Sequence, residues 1–139
     1  RNTERDLTPK TEDYWTKKSS KEAMKTIHDI FNIIQELKSA NNWAGEFLPN
    51  YLNHYIGISI DGASRNFIYL KTVNSHSVRL IIPRPEIIGD NIISEIENSD
   101  ISQGNTSQDY YLTIKPDILS KPENIKVLKD ILEKSFNEF

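Results

Sequence analysis

The chain has 139 residues, no cysteine, 37% hydrophobic and 27% charged residues, and a formal net charge of −3. That length builds one domain around one core. The lack of cysteine excludes disulfides and thiolate ligands, and no apolar run approaches the ~20 residues of a membrane helix. The charge is uneven. Residues 1–40 hold eight Lys/Arg against seven Asp/Glu, residues 41–85 four against two, and residues 86–139 five against eleven. The acidity therefore sits in the last third, which argues against a general polyanion binder and leaves room for a cationic surface in the middle. A cysteine-free chain without a signal-peptide core is expected in the cytoplasm. Its first residue, Arg1 rather than Met, is expected of a domain taken from a longer protein.

Residues 1–18 are polar, densely charged and without periodicity, so a linker from an upstream region is expected over 1–12. Tyr14 and Trp15 break that pattern and should tuck against the body. Ser19 and Glu22 form a capping-box start. Behind them Met24, Ile27, Ile30, Phe31, Ile34 and Leu37 recur at helical spacing. Residues 39–53 read as an irregular connection carrying large apolar groups. Strands are expected at about 54–60, 66–73 and 76–82, joined by turns at Asp61-Gly62 and Asn74-Ser75. Pro83 and Pro85 end this meander, and Pro85 suits the first turn of a helix running to about Asn98 with Ile87, Ile88, Ile92, Ile93 and Ile96 as its stripe. Ser99 to Gln108 reads as a polar loop and Asp109–Lys115 as a fourth strand stopped by Pro116. A single turn fits Asp117–Ser120. Pro122 and Glu123 then open a last helix lined by Ile125, Leu128, Ile131, Leu132 and Phe136.

Single-striped helices beside a short sheet must cover its aliphatic face. The expected fold is α+β: residues 13–139 as one two-layer domain, an antiparallel four-stranded sheet with helices on one face, in the order α-β-β-β-α-β-α. Alternation along the strands puts Ile56, Ile58, Ile60, Ile68, Leu70, Val78, Leu80, Ile82, Tyr110, Leu112 and Ile114 on the covered face. The other face would carry Tyr55, Gly57, Ser59, Phe67, Tyr69, Lys71, Arg79, Ile81, Tyr111, Thr113 and Lys115.

No catalytic motif emerges. Five scattered glycines make no phosphate loop, and His28, His54 and His76 lie too far apart for a metal-ligand pattern. A restriction-type nuclease needs Asp followed by Glu-x-Lys on the next strand. Here Glu36-Leu37-Lys38 precedes Asp117 and lies on a helix. There is no Gly-x-Ser-x-Gly elbow. The expectation is a non-enzyme without cofactor or metal.

Aromatics interleaved with cations on a sheet face can hold single-stranded nucleic acid, with bases on rings and cations on phosphates. Tyr55, Phe67, Tyr69 and Tyr111 would be the platforms, and Lys71, Arg79 and Lys115 the phosphate partners. The same residues also fit cross-strand pairs roofed by residues 43–52 or by Tyr14-Trp15, or a face for protein contacts or dimerisation.

The pattern from Tyr14-Trp15 through the first helix, then Tyr55-Ile-Gly-Ile, Asn66-Phe-Ile-Tyr and a final amphipathic helix, resembles a small α+β domain family of unknown function. Its members sit at the C-terminal end of larger bacterial and archaeal proteins with restriction-nuclease-like or ParB- and HNH-nuclease-like parts. The resemblance covers about residues 13–139 and carries over no catalytic residues. It implies an accessory module of a DNA-processing, restriction-modification or defence protein, with the upstream domain as a partner.

Overall fold

The computed structural model describes residues 11–52, 54–62, 66–73, 76–83, 88–105 and 109–137. Most of the expected linker, the Asn74-Ser75 turn and the Pro85 helix start lie outside them. Thr11 and Glu12, assigned to that linker, belong instead to a helix. The Thr11 hydroxyl accepts from the Tyr14 amide to cap α1 (Glu12–Lys18). Glu12 and Asp13 in its first turn and Lys17 and Lys18 in its last complement the helix dipole. Seven residues do not make a stable helix alone. Burial of Trp15, whose indole N–H donates to Leu52 O at 2.8 Å, holds this one in place.

The long helix α2 (Lys21–Asn41) is capped by Ser20, whose hydroxyl accepts from Ala23 N at 3.1 Å. The expected cap, Ser19, closes α1 instead. The apolar stripe lies inward as expected, with Ala23 and Ile33 joining it. Asn42 ends the helix in the left-handed region at φ 56°.

The central strands β2 (Ile56–Ile60), β3 (Asn66–Val73) and β4 (Ser77–Ile82) were also legible, as was helix α3 (Asp90–Glu97), although it starts at Asp90 after its cap Gly89 and leaves Ile88 of the expected stripe before it. The sheet, however, has six strands rather than four. The two missed ones are its edges: β1 (Phe47–Tyr51), inside the expected irregular connection, and β5 (Ser102–Asn105), inside the expected polar loop. With β6 (Tyr110–Ile114) the spatial order is β1-β2-β3-β4-β6-β5, antiparallel throughout. A 3-10 turn at Ile118–Ser120 and helix α4 (Pro122–Asn137) follow, so the order among the described residues is α-α-β-β-β-β-α-β-β-α. Both misses have a physical cause. An edge strand tolerates Pro49 because only one side joins a ladder. β5 is Ser-Gln-Gly-Asn, whose side chains are largely exposed and need no apolar alternation.

Helices α2 and α4 lie against β4 and β3 and cover the aliphatic face. Ile56, Ile58, Ile68, Leu70, Val78, Leu80, Ile82, Leu112 and Ile114 are buried there with Ile30, Ile34, Leu128 and Ile131. Asn124, fully buried at the start of α4, ties the preceding segments together. It accepts from Asp100 N and donates to Asp100 Oδ2 and Ile118 O. None of the described helices is long and apolar enough to cross a membrane.

A register shift in the β2–β3 ladder governs the rest. Ile58 pairs with Ile68, but Ser59 pairs with Asn66, so Phe67 is an extra residue on β3.

Candidate nucleic-acid interface

The face away from the helices is read from the ladder. Gly57, Tyr69, Ile81, Tyr111 and Gly104 are cross-strand partners in one row, with Asn50 at the β1 edge. Lys71, Arg79, Thr113 and Ser102 form the neighbouring row, and Tyr55 extends it just before β2. No strand position in these rows is Asp or Glu. In a chain of net charge −3, that leaves a locally cationic surface.

Two clusters stand on it. Tyr55, 37% exposed, meets Tyr69 edge to face with centroids 5.8 Å apart, and Lys71 Nζ lies 5.7 Å from the Tyr55 centroid. At the other end the Arg79 guanidinium lies 4.0 Å from the Tyr111 centroid. That ring lies in turn across Gly104, where an added Cβ would stand 2.6 Å from Tyr111 Cζ. Gly104 is therefore what lets the ring lie down on β5. Arg79 Nε is buried with no hydrogen-bond partner, so ring stacking rather than a bond at that nitrogen orients the guanidinium.

Of the seven expected residues, five are gathered here: Tyr55, Tyr69, Lys71, Arg79 and Tyr111. Phe67 is not. The bulge turns it to the helix side, where it is 1% exposed and meets Phe47 and Phe136 at centroid distances of 6.0 and 5.9 Å. Lys115 follows the last residue of β6 and lines a groove of about 220 Å³ with Glu22, Lys25, Asp29 and the 116–120 turn. Sequence reasoning missed Asn66, Gly104 and the support they give. A glycine seven residues before a tyrosine across a hairpin was the available signal for Gly104; nothing in the sequence marks the bulge that places Asn66.

Neither expected roof covers the face. Residues 47–51 extend the sheet as β1, and Trp43 stacks on Phe136 at 4.1 Å on the helix side. Trp15 is buried on that side too, with the core residues of α2. Among the described residues, none of the helices or connections crosses the open face.

A second polar group lies on the helix side, at the rim of a 120 Å³ cavity lined by Ile27, His28, Phe31, Pro49, Tyr51, Ile56 and Ile58. Glu12 Oε1 is 2.9 Å from His28 Nε2. Burial and then the charge of Glu12, with its hydrogen bond, push the Tyr51 hydroxyl above its ordinary value. Among the described residues no three His, Asp or Glu side chains are grouped to hold a metal ion. Among the described residues the open face offers stacking planes and cations.

Compared with known proteins, the chain matches no protein-family model and no curated protein sequence.

Proposed function

We propose that this domain holds single-stranded nucleic acid on its open sheet face, as a non-catalytic accessory module of a larger DNA-processing or defence protein. The observation carrying the reading is the Arg79 guanidinium laid on the Tyr111 ring at 4.0 Å, on a face whose strand positions hold no carboxylate. Stacking planes beside cations suit a polymer of flat bases joined by phosphates. The accessory role draws on the resemblance of residues 13–139 to C-terminal domains of nuclease-like proteins, which rests on residue pattern. A cytoplasmic location goes with it, as does action without a cofactor.

The test is fluorescence anisotropy of a fluorescein-labelled oligothymidylate at low salt. Tyr69→Ala should weaken binding by about 1–3 kcal/mol while the melting transition stays cooperative. If the wild-type protein fails to bind at tens of micromolar, the reading falls. The same face would then be assigned to a protein partner or to dimerisation, measurable as concentration-dependent mass in sedimentation.

A further inference from the structure

We infer that Arg79 serves this face as a base-stacking plane, with Tyr111 and Gly104 as its positioning residues. The inference rests on the nucleic-acid reading and assigns within it a role that sequence gave to the Tyr111 ring.

Tyr111 has little face left to offer a base. One side of its ring lies on the Gly104 backbone, close enough that a Cβ would stand 2.6 Å from the ring. The Arg79 guanidinium lies over the ring at 4.0 Å. The layers therefore run from β5 backbone to phenol ring to guanidinium. Arg79 is half-buried, and the flat group that follows the ring at this end is its guanidinium, which is planar, always charged and only loosely hydrated. Arg planes stack on bases as aromatic rings do. Resting on a ring fixes the tilt of the guanidinium before any ligand arrives, so less side-chain freedom is lost on binding.

This differs from a plain phosphate contact, for which any cation would serve. Lysine keeps the charge and loses the plane. Arg79→Lys should therefore weaken oligothymidylate binding by about tenfold, close to the loss in Arg79→Ala. The two variants should differ in salt dependence, with Arg79→Lys keeping the wild-type slope and Arg79→Ala losing about one phosphate contact's worth. Tyr111→Leu, which keeps an apolar support and removes the ring, should fall between wild type and Arg79→Ala.

The outcomes separate cleanly. Wild-type affinity in Arg79→Lys would overturn the stacking role and leave the nucleic-acid reading standing with Arg79 as a point charge. No binding by the wild-type protein would remove both. Thermal melts of each variant, superimposable on wild type, show that the comparison is made between folded proteins.

Discussion

Asn66 lays its side-chain amide across Gly57, so closely that a Cβ on Gly57 would stand 2.4 Å from Asn66 Oδ1. The bulge creates this contact by pairing Asn66 with Ser59 and freeing the strand to turn. Asn66 is buried and its Oδ1 has no hydrogen-bond partner, so the amide is held by packing alone. Gly57→Ala must displace it and should cost about 1–3 kcal/mol in urea unfolding. In an Asn66→Ala background the same substitution should cost much less, because the three atoms in the way all belong to that amide. Additive costs would contradict the close packing.

Phe67 and Tyr69 are two residues apart and share a parity, yet they lie on opposite sides of the sheet. Phe67→Ala opens a hole among Phe47, Phe136 and the neighbouring core and should cost about 3–5 kcal/mol. Tyr69→Ala loses one edge-to-face contact with Tyr55 and should cost about 1 kcal/mol. Denaturant midpoints of the two variants check this. Equal costs would return Phe67 to the open face.

The difference between those residues shows what the sequence could and could not carry. Helices α2 and α4 were legible because Ile30, Ile34, Leu128 and Ile131 recur at helical spacing and that spacing decides which side is buried. The central strands were legible because Ile56 and Ile58, or Val78 and Leu80, alternate with polar or small partners. A bulge adds one residue without changing composition, so alternation through Phe67 pointed the wrong way. The edges failed for another reason. β1 carries a proline and β5 has nothing to bury, so neither shows the pattern that burial on one face imposes. The site suffered in proportion: Tyr69, Lys71, Arg79 and Tyr111 sat on regular stretches of strand and Tyr55 just before one, whereas Phe67 sat on the bulge and Lys115 past a strand end.

Asn124 makes the segment before β5 depend on one buried amide. Its hydrogen bond, and secondly Lys121, hold the Asp100 carboxyl below its ordinary value of 3.8. A depressed carboxyl stabilises the fold above its unfolded value and loses that contribution as pH falls through the folded one. Asn124→Ala should cost about 1–3 kcal/mol at neutral pH, since it strands Asp100 N and leaves Ile118 O with Lys121 N alone. It should also flatten the fall in stability below pH 3.8, because the leading cause of the depression is gone. Urea midpoints measured from neutral to acid pH test both statements. An acid limb as steep as wild type would mean that Lys121 alone sets Asp100.

Lys115 supplies an internal control for the open face. It and Lys71 carry the same charge, but Lys71 stands beside Tyr55 while Lys115 lines the groove against Glu22, Lys25 and Asp29. If nucleic acid lies on the rows from Tyr55 to Arg79, each cation in contact releases roughly 0.7 counterion on a single strand. Lys71→Ala should then lower the slope of log affinity against log salt by about that amount. Lys115→Ala should leave the slope unchanged, since the groove it lines also holds the carboxylates of Glu22, Asp29 and Asp117. Both lysines are outside the core, so neither substitution should move the melting temperature by more than a degree or two. Anisotropy titrations at several salt concentrations give the slopes directly. A loss in Lys115→Ala equal to that in Lys71→Ala would move the strand's path off the face and toward the groove at the N-terminal half of α2, where its charge would meet Glu22 and Asp29.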